Sequence, residues 1–325
     1  MRKGKIRVAV IGVGIHGQRH AEKYFRSEAA ELVAVVDTDT TTTQAVAAEY
    51  GVCGLNNYAN VLADVDAVSI AVPAAAHYSI ARDCLIAGLD ILVEKPITLE
   101  LAQADHLIAL AAQRRRILQV GHIERYNPAV RALLPQIRDP RYLNFMRLTR
   151  YNVRGAEIDV GLDLMIHDID LACWLVNRPI TKIEATASPV FSRTVDMLQA
   201  RLHFDGGCIA DLFASRVSAK PERGLRLLQD NGCATVDLLS AAVAFVHASS
   251  SATPSPDESI PARFTGDALE AEIAQFLYAI RTRTPPAVDG TAGRRALATA
   301  LAIKQVAITA PPSAVAAGFT ARSRF

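Results

Sequence analysis

Between the β-branched run "KIRVAVIG" and a helical pattern stands "GVGIHG", Gly12 to Gly17. Few short stretches restrict a fold so much. Gly12 permits a tight turn, Gly14 lets the backbone approach a ligand, and Gly17 lets the helix pack closely on its strand. The next β-branched run, "ELVAVVD", ends on Asp37, twenty residues after Gly17. A strand, this glycine spacing, a helix and a strand-end acid together make the dinucleotide fingerprint. A pyrophosphate would sit at the helix N-terminus, beside Ile15 and His16, and Asp37 with Thr38 would face the ribose. Asp39 follows and no Arg is near. A 2′-phosphate would be repelled there, so the expected cofactor is NAD rather than NADP.

The alternation continues through the first 120 residues. "VDAVSIAVP", "LDILVEKP" and "ILQVGH" are further strand runs, and helical patterns lie near 16–29, 40–50, 76–88 and 98–113. Uninterrupted apolar strands separated by helices describe a parallel sheet covered on both faces, here a Rossmann domain over 1–122. Past Asn127-Pro128, an N-cap followed by Pro at N1, the pattern changes. A helix near 162–177 precedes long alternating runs joined at "DGG" and "DNG". Such hairpin signals predict an α+β domain with a large, mainly antiparallel sheet over 123–325. The Ser/Pro-rich stretch 248–261 reads as a loop, helices follow near 267–283 and 291–309, and the tail after "APP" reads as poorly ordered.

A chain of 325 residues suits two domains. A net charge of +2 with no basic cluster longer than "RRR" at 114–116 argues against a nucleic-acid partner. No run approaches the ~20 apolar residues of a membrane span, so no membrane insertion is expected. "MRKGKIRVAVIGVG" reads as a first strand rather than a signal peptide. The five cysteines are scattered, with no C-x-x-C pair. They fit reduced thiols in a cytoplasm and give no zinc signature.

"LDLMIHDIDL", Leu162 to Leu171, sets three carboxylates and an imidazole among large apolar residues. On a helix Asp163, His167 and Asp170 share one stripe while Asp168 points elsewhere. Nearly surrounded by apolar residues, the stripe reads as a polar seam facing a cleft. It offers too few ligands for a metal, but proton transfer needs only one tunable base and a partner to orient it, and His167 with Asp163 supplies that. In "VEKPI", Glu94 and Lys95 end a strand, where such sheets bind ligands. A lysine beside a positively charged nicotinamide suits proton traffic near neutral pH. "VGHIERYNPA" joins the domains, so Arg125, Tyr126 and Asn127 are candidates for substrate contact, with Arg125 equally suited to an ion pair holding the junction. In "RYNVRG", Arg150 and Arg154 could meet a diphosphate or sit on the surface.

These segments, in this order, resemble the Gfo/Idh/MocA oxidoreductases over nearly the whole chain: "VAVIGVGIHGQRH" with "VVDTD", "AVPAAAHYSIARDCLIAGLDILVEKPI" and "LDLMIHDID". The resemblance implies that Lys95, Asp163 and His167 form the catalytic group. It places Glu94 near the nicotinamide ribose, and Pro73 and His77 in a cofactor-side loop. Many members have Gly where Met165 stands. "VGHIERYNP" with "DVGLDLMIHDIDL" is most similar to the branch that oxidises UDP-N-acetylglucosamine at C3. That implies a nucleotide-sugar substrate and a product taken up by an aminotransferase for amino-sugar lipid A. Separately, the alternating apolar face of the expected antiparallel sheet is larger than one monomer can cover, so a homodimer or tetramer is expected. Inositol or simple-sugar dehydrogenases, and NAD-responsive regulators that tend to lose the lysine or histidine, are the alternatives.

Overall fold

The structure, a computed structural model, describes residues 4–152, 158–247, 257–258 and 262–309. The first sheet is built from β1 (Ile6–Ile11), β2 (Ala30–Val36), β3 (Cys53–Leu55), β4 (Ala67–Ile70), β5 (Asp90–Glu94) and β6 (Leu118–Gly121). All pair in parallel, in the order β3-β2-β1-β4-β5-β6. Helices α1 (Ile15–Arg26), α2 (Thr40–Tyr50), α3 (His77–Ile86) and α4 (Leu101–Arg114) connect the strands. Val8, Ala9 and Val10 are consecutive and all fully buried, which is why β1 shows no alternation. β3 is the strand the pattern did not announce, being only three residues around a glycine.

A short α5 (Pro128–Leu133) follows, with Asn127 as its cap. The second sheet contains β7 (Tyr142–Leu148), β8 (Ile180–Ser188), β9 (Met197–Phe204), β10 (Ile209–Ser215), β11 (Glu222–Gln229), β12 (Gly232–Asp237) and β13 (Ala242–His247). Two short strands, Asp257–Glu258 and Ala262–Arg263, pair with β13, so the stretch expected to be all loop contributes to the sheet edge. The "DGG" and "DNG" turns join β9 to β10 and β11 to β12, and both pairs are antiparallel. Gly206 and Gly207 take φ of +81° and +87°, conformations that glycine adopts without strain. Among the described residues of this second sheet, only β7 and β10 run parallel. β7 escaped sequence reading because one of its inward positions carries an arginine: Leu143, Phe145 and Arg147 are all buried.

Between β7 and β8 lies α6 (Ile166–Val176), entered through a π turn at Gly161–Met165. Of the last two helices, α7 (Ala268–Thr282) returns to the first sheet, whereas α8 (Gly290–Thr309) meets β6 at its start and lies along α6 and β8. Ile273, Phe276 and Leu277 of α7 share a core with Ile6, Val8, Val10 and Tyr24. The backbone of Val120 donates to Val288 O. The expected boundary at 122/123 falls just after β6, but α7 completes the covering of the N-terminal sheet. A cleft results at the carboxyl ends of β5 and β6, under the start of α6.

Candidate active site

A groove beside the carboxyl ends of β1, β2 and β4 is lined by Gly12, Gly14, Ile15, His16, Asp37, Thr38 and Pro73. Gly12 has φ +89°, and a Cβ there would stand 2.7 Å from the Ala71 carbonyl. A Cβ on Gly17 would meet Gly12 O at 1.7 Å. At Gly14 nothing lies within 4 Å, so a side chain would project into free space beside the first turn of α1. That helix has no side-chain cap, which leaves its N-terminal amides for an anion. Asp37 Oδ2 accepts from Val13 N at 2.8 Å and Oδ1 from Asp39 N at 3.1 Å, so the carboxylate is fixed to the glycine-rich loop it serves. These residues fit a dinucleotide.

His77 does not line this groove. It is buried behind it, with Nε2 on Val72 O at 2.9 Å and Nδ1 on Pro96 O at 2.7 Å. Burial lowers its pKa. Its expected place at the cofactor is corrected to a tie between the loop after β4 and the segment after β5. Glu94 lines the neighbouring cleft. Burial alone would push its carboxyl up, but the hydrogen bond from His20 Nε2 and nearby positive charge hold it down to about 2. His20 is itself oriented by Ser69 Oγ at 2.8 Å. A Cβ on Gly121 would lie 2.9 Å from Glu94 Oε2, so this glycine makes room for the acid.

The cleft, of about 620 Å³, brings together Glu94, Lys95, Asp163 and His167. Lys95 Nζ donates to Asp163 O at 2.6 Å and to Asp163 Oδ1 at 3.2 Å. An ammonium has three donors, so one is left for a ligand. His167 has a pKa well below the usual histidine value, through burial first and then the cations Lys95, Arg147 and Arg223 and the His122 ring. His16 lines both the groove and the cleft, so the two open onto each other.

The acidic stripe divides. Asp163 orients Lys95; no hydrogen bond joins it to His167 among the described residues, which corrects the expected partnership. Asp170 lies under the Ile123–Tyr126 turn and is gripped by Arg125 through Nε at 2.7 Å and Nη2 at 2.5 Å. Asp168 takes the buried Arg147, which also reaches Glu124 Oε1 at 3.0 Å. The expected substrate contacts are corrected accordingly. Arg125 is 4% exposed and spent on Asp170 and Ala287 O. Tyr126 belongs to the hydrophobic core. Asn127 Nδ2 donates to Glu124 and Leu238 O while its Oδ1 caps α5. Arg150 donates to Ala219 O on the surface, and Arg154 lies outside the described residues. Arg19 and Arg223 line the cleft instead. Sequence reasoning missed both; Arg19 stands two residues beyond the glycine motif, but nothing in the sequence marks Arg223.

Residues 6–122 match the family described as "Oxidoreductase family, NAD-binding Rossmann fold", and residues 150–235 match "GFO/IDH/MocA C-terminal domain". The chain is 37% identical over 304 residues to the UDP-N-acetylglucosamine 3-dehydrogenase of Acidithiobacillus ferrooxidans, covering 92% of this chain and 96% of that protein. The solved structure of that enzyme superposes with a TM-score of 0.86 over 93% of this chain and 97% of the other. The inositol 2-dehydrogenase of Rubrobacter xylanophilus is 28% identical, over 74% of this chain and 73% of its own. Levoglucosan dehydrogenase in complex with NADH and levoglucosan, at 17% identity, shares the fold with a TM-score of 0.83 over 94% of this chain and 97% of its own.

Proposed function

The chain belongs to the Gfo/Idh/MocA oxidoreductases, and from that premise we propose that it is an NAD-dependent dehydrogenase of a nucleotide sugar, acting on C3 of UDP-N-acetylglucosamine. The observation that carries the reading is the meeting of Lys95, Asp163 and His167 in a cleft that opens, past His16, onto the dinucleotide groove. When bound, NAD supplies the hydride acceptor, C4 of its nicotinamide. His167, kept neutral by burial and neighbouring cations, takes the proton of the substrate hydroxyl. Lys95, held by Asp163, donates its remaining hydrogen to that oxygen as negative charge develops there. Glu94 would meet the nicotinamide ribose, as the family resemblance implies. The carbinol carbon loses a hydride, its oxygen loses a proton, and a ketone results.

A nucleotide sugar is favoured over a free polyol because its diphosphate needs cationic donors, and Arg19 and Arg223 stand on the cleft wall. The inositol dehydrogenases support simple sugars or polyols as the second reading. A non-catalytic regulator is disfavoured by the retention of Lys95 and His167. We further propose a cytoplasmic homodimer or tetramer whose 3-keto product is consumed by an aminotransferase, as amino-sugar lipid A assembly requires. The test is incubation with NAD, UDP-sugars and polyols, following NADH absorbance, with a trap for the ketone and mass spectrometry of the products. A 3-keto or 3-amino nucleotide sugar supports the reading. Turnover of myo-inositol or glucose without it moves the assignment to polyols.

A further inference from the structure

His122 follows β6 directly behind the cleft and is 1% exposed, yet both its ring nitrogens lack a hydrogen-bond partner among the described residues. Buried polar atoms are seldom left so, and an imidazole with neither nitrogen satisfied asks for a partner of its own. Its ring stands edge-on to that of His167, with centroids 6.5 Å apart and planes at 86°. His167 presents the same deficiency from the other side: its Nδ1 is also buried without a partner, while the residue lines the cleft.

A neutral histidine that accepts a proton on Nε2 must carry its own hydrogen on Nδ1. That buried N–H needs an acceptor, and Asp163 is committed to Lys95. Two hydrogen bonds of about 2.8 Å through one water join nitrogens roughly 4.5–5.5 Å apart, a separation that ring centroids 6.5 Å apart permit.

We propose that His122 is a positioning residue for the reaction, accepting the Nδ1–H of His167 through one shared, ordered water, and so holding the tautomer whose Nε2 faces the substrate hydroxyl. This rests on His167 being the base, as read above. The charged surroundings suit it. Around His122 stand Asp170 with Arg125, and Glu94 with Lys95; burial keeps the ring neutral and able to accept. Around His167 stand Lys95, Arg147 and Arg223, which oppose a second positive charge on the pair.

The test compares His122→Phe, which keeps the ring and removes the acceptor, with His122→Gln, whose amide oxygen can accept from the same water. His122→Phe is expected to lower kcat about ten- to a hundredfold, with both KM values and Tm nearly unchanged and the acid limb of kcat moved to lower pH. His122→Gln is expected to recover most of the rate. Unchanged kcat and pH profile in His122→Phe overturns the proposal, as does equal loss in both variants accompanied by a fall in Tm, which marks packing alone. A His167→Ala variant run alongside separates the two levels: full turnover there sinks the base assignment itself, whereas its inactivity with a fully active His122→Phe sinks only the role of His122.

Discussion

Arg125 and Asp170 form a two-pronged ion pair within the junction of the two sheets, at 2.7 and 2.5 Å, with the guanidinium lying 5.1 Å from the centre of the Trp174 ring. Both side chains are almost wholly buried. Removing one partner strands the other, so Arg125→Met is expected to destabilise the protein by about 3–5 kcal/mol in urea unfolding. The double variant Arg125→Met/Asp170→Leu should regain much of that. Equal instability of single and double variants would contradict the pairing.

If Lys95 and His167 act as proposed, Lys95→Ala and His167→Ala should each lower kcat by ~100- to 10,000-fold while NAD still binds. Fluorescence titration of NAD separates loss of chemistry from loss of the cofactor. Near-full turnover in either variant overturns the assigned roles.

The Asp37 carboxylate is anchored to Val13 N and faces the groove with its remaining lone pairs. NAD should therefore bind far better than NADP, and Asp37→Ala should narrow the difference chiefly by weakening NAD. Equal affinities in the wild-type chain would refute the reading.

The depressed pKa of His167 sets the sign of the acid response. Activity should persist as pH falls through 6.5, the ordinary histidine value, and decline only below it, when the imidazole protonates. The same direction governs stability: below 6.5 the unfolded chain binds protons that the buried His77, His122 and His167 refuse. The unfolded state then holds more protons, so stability is fully present above that pH and falls as pH drops. Tm measured from pH 8 to pH 5 in a Glu272→Gln background, which removes the opposing titration of that buried acid, checks it.

Glu272 on α7 is fully buried with both carboxylate oxygens unpartnered among the described residues. Burial, and then the charge of Glu94, raise its pKa well above the usual carboxylate value. A raised acid loses stability as pH climbs from its unfolded value toward its folded one, so Glu272→Gln should raise Tm at pH 8 and do little at pH 4. A lower Tm at pH 8 would show that the acid has a partner worth more than its neutrality.

The dinucleotide half was legible because its determinants are local. Gly12, Gly14, Gly17 and Asp37 act through turn geometry and close packing within two strands and a helix, and the hairpins at 205–207 and 230–232 are set by the same short-range chemistry. Spacing and resemblance together singled out Lys95, Asp163 and His167. The partners of the charges were not legible. Periodicity tells which face of α6 a carboxylate occupies, but not that Arg147 lies inward on β7 to receive Asp168, or that Arg125 turns inward to take Asp170 rather than reaching substrate. Asp163 was expected to orient both His167 and Lys95, and among the described residues it meets only Lys95, 68 residues away. Ion pairs and buried polar contacts depend on which elements the fold brings within a few ångströms and how much water it removes, and that is decided only when the two sheets close over the cleft.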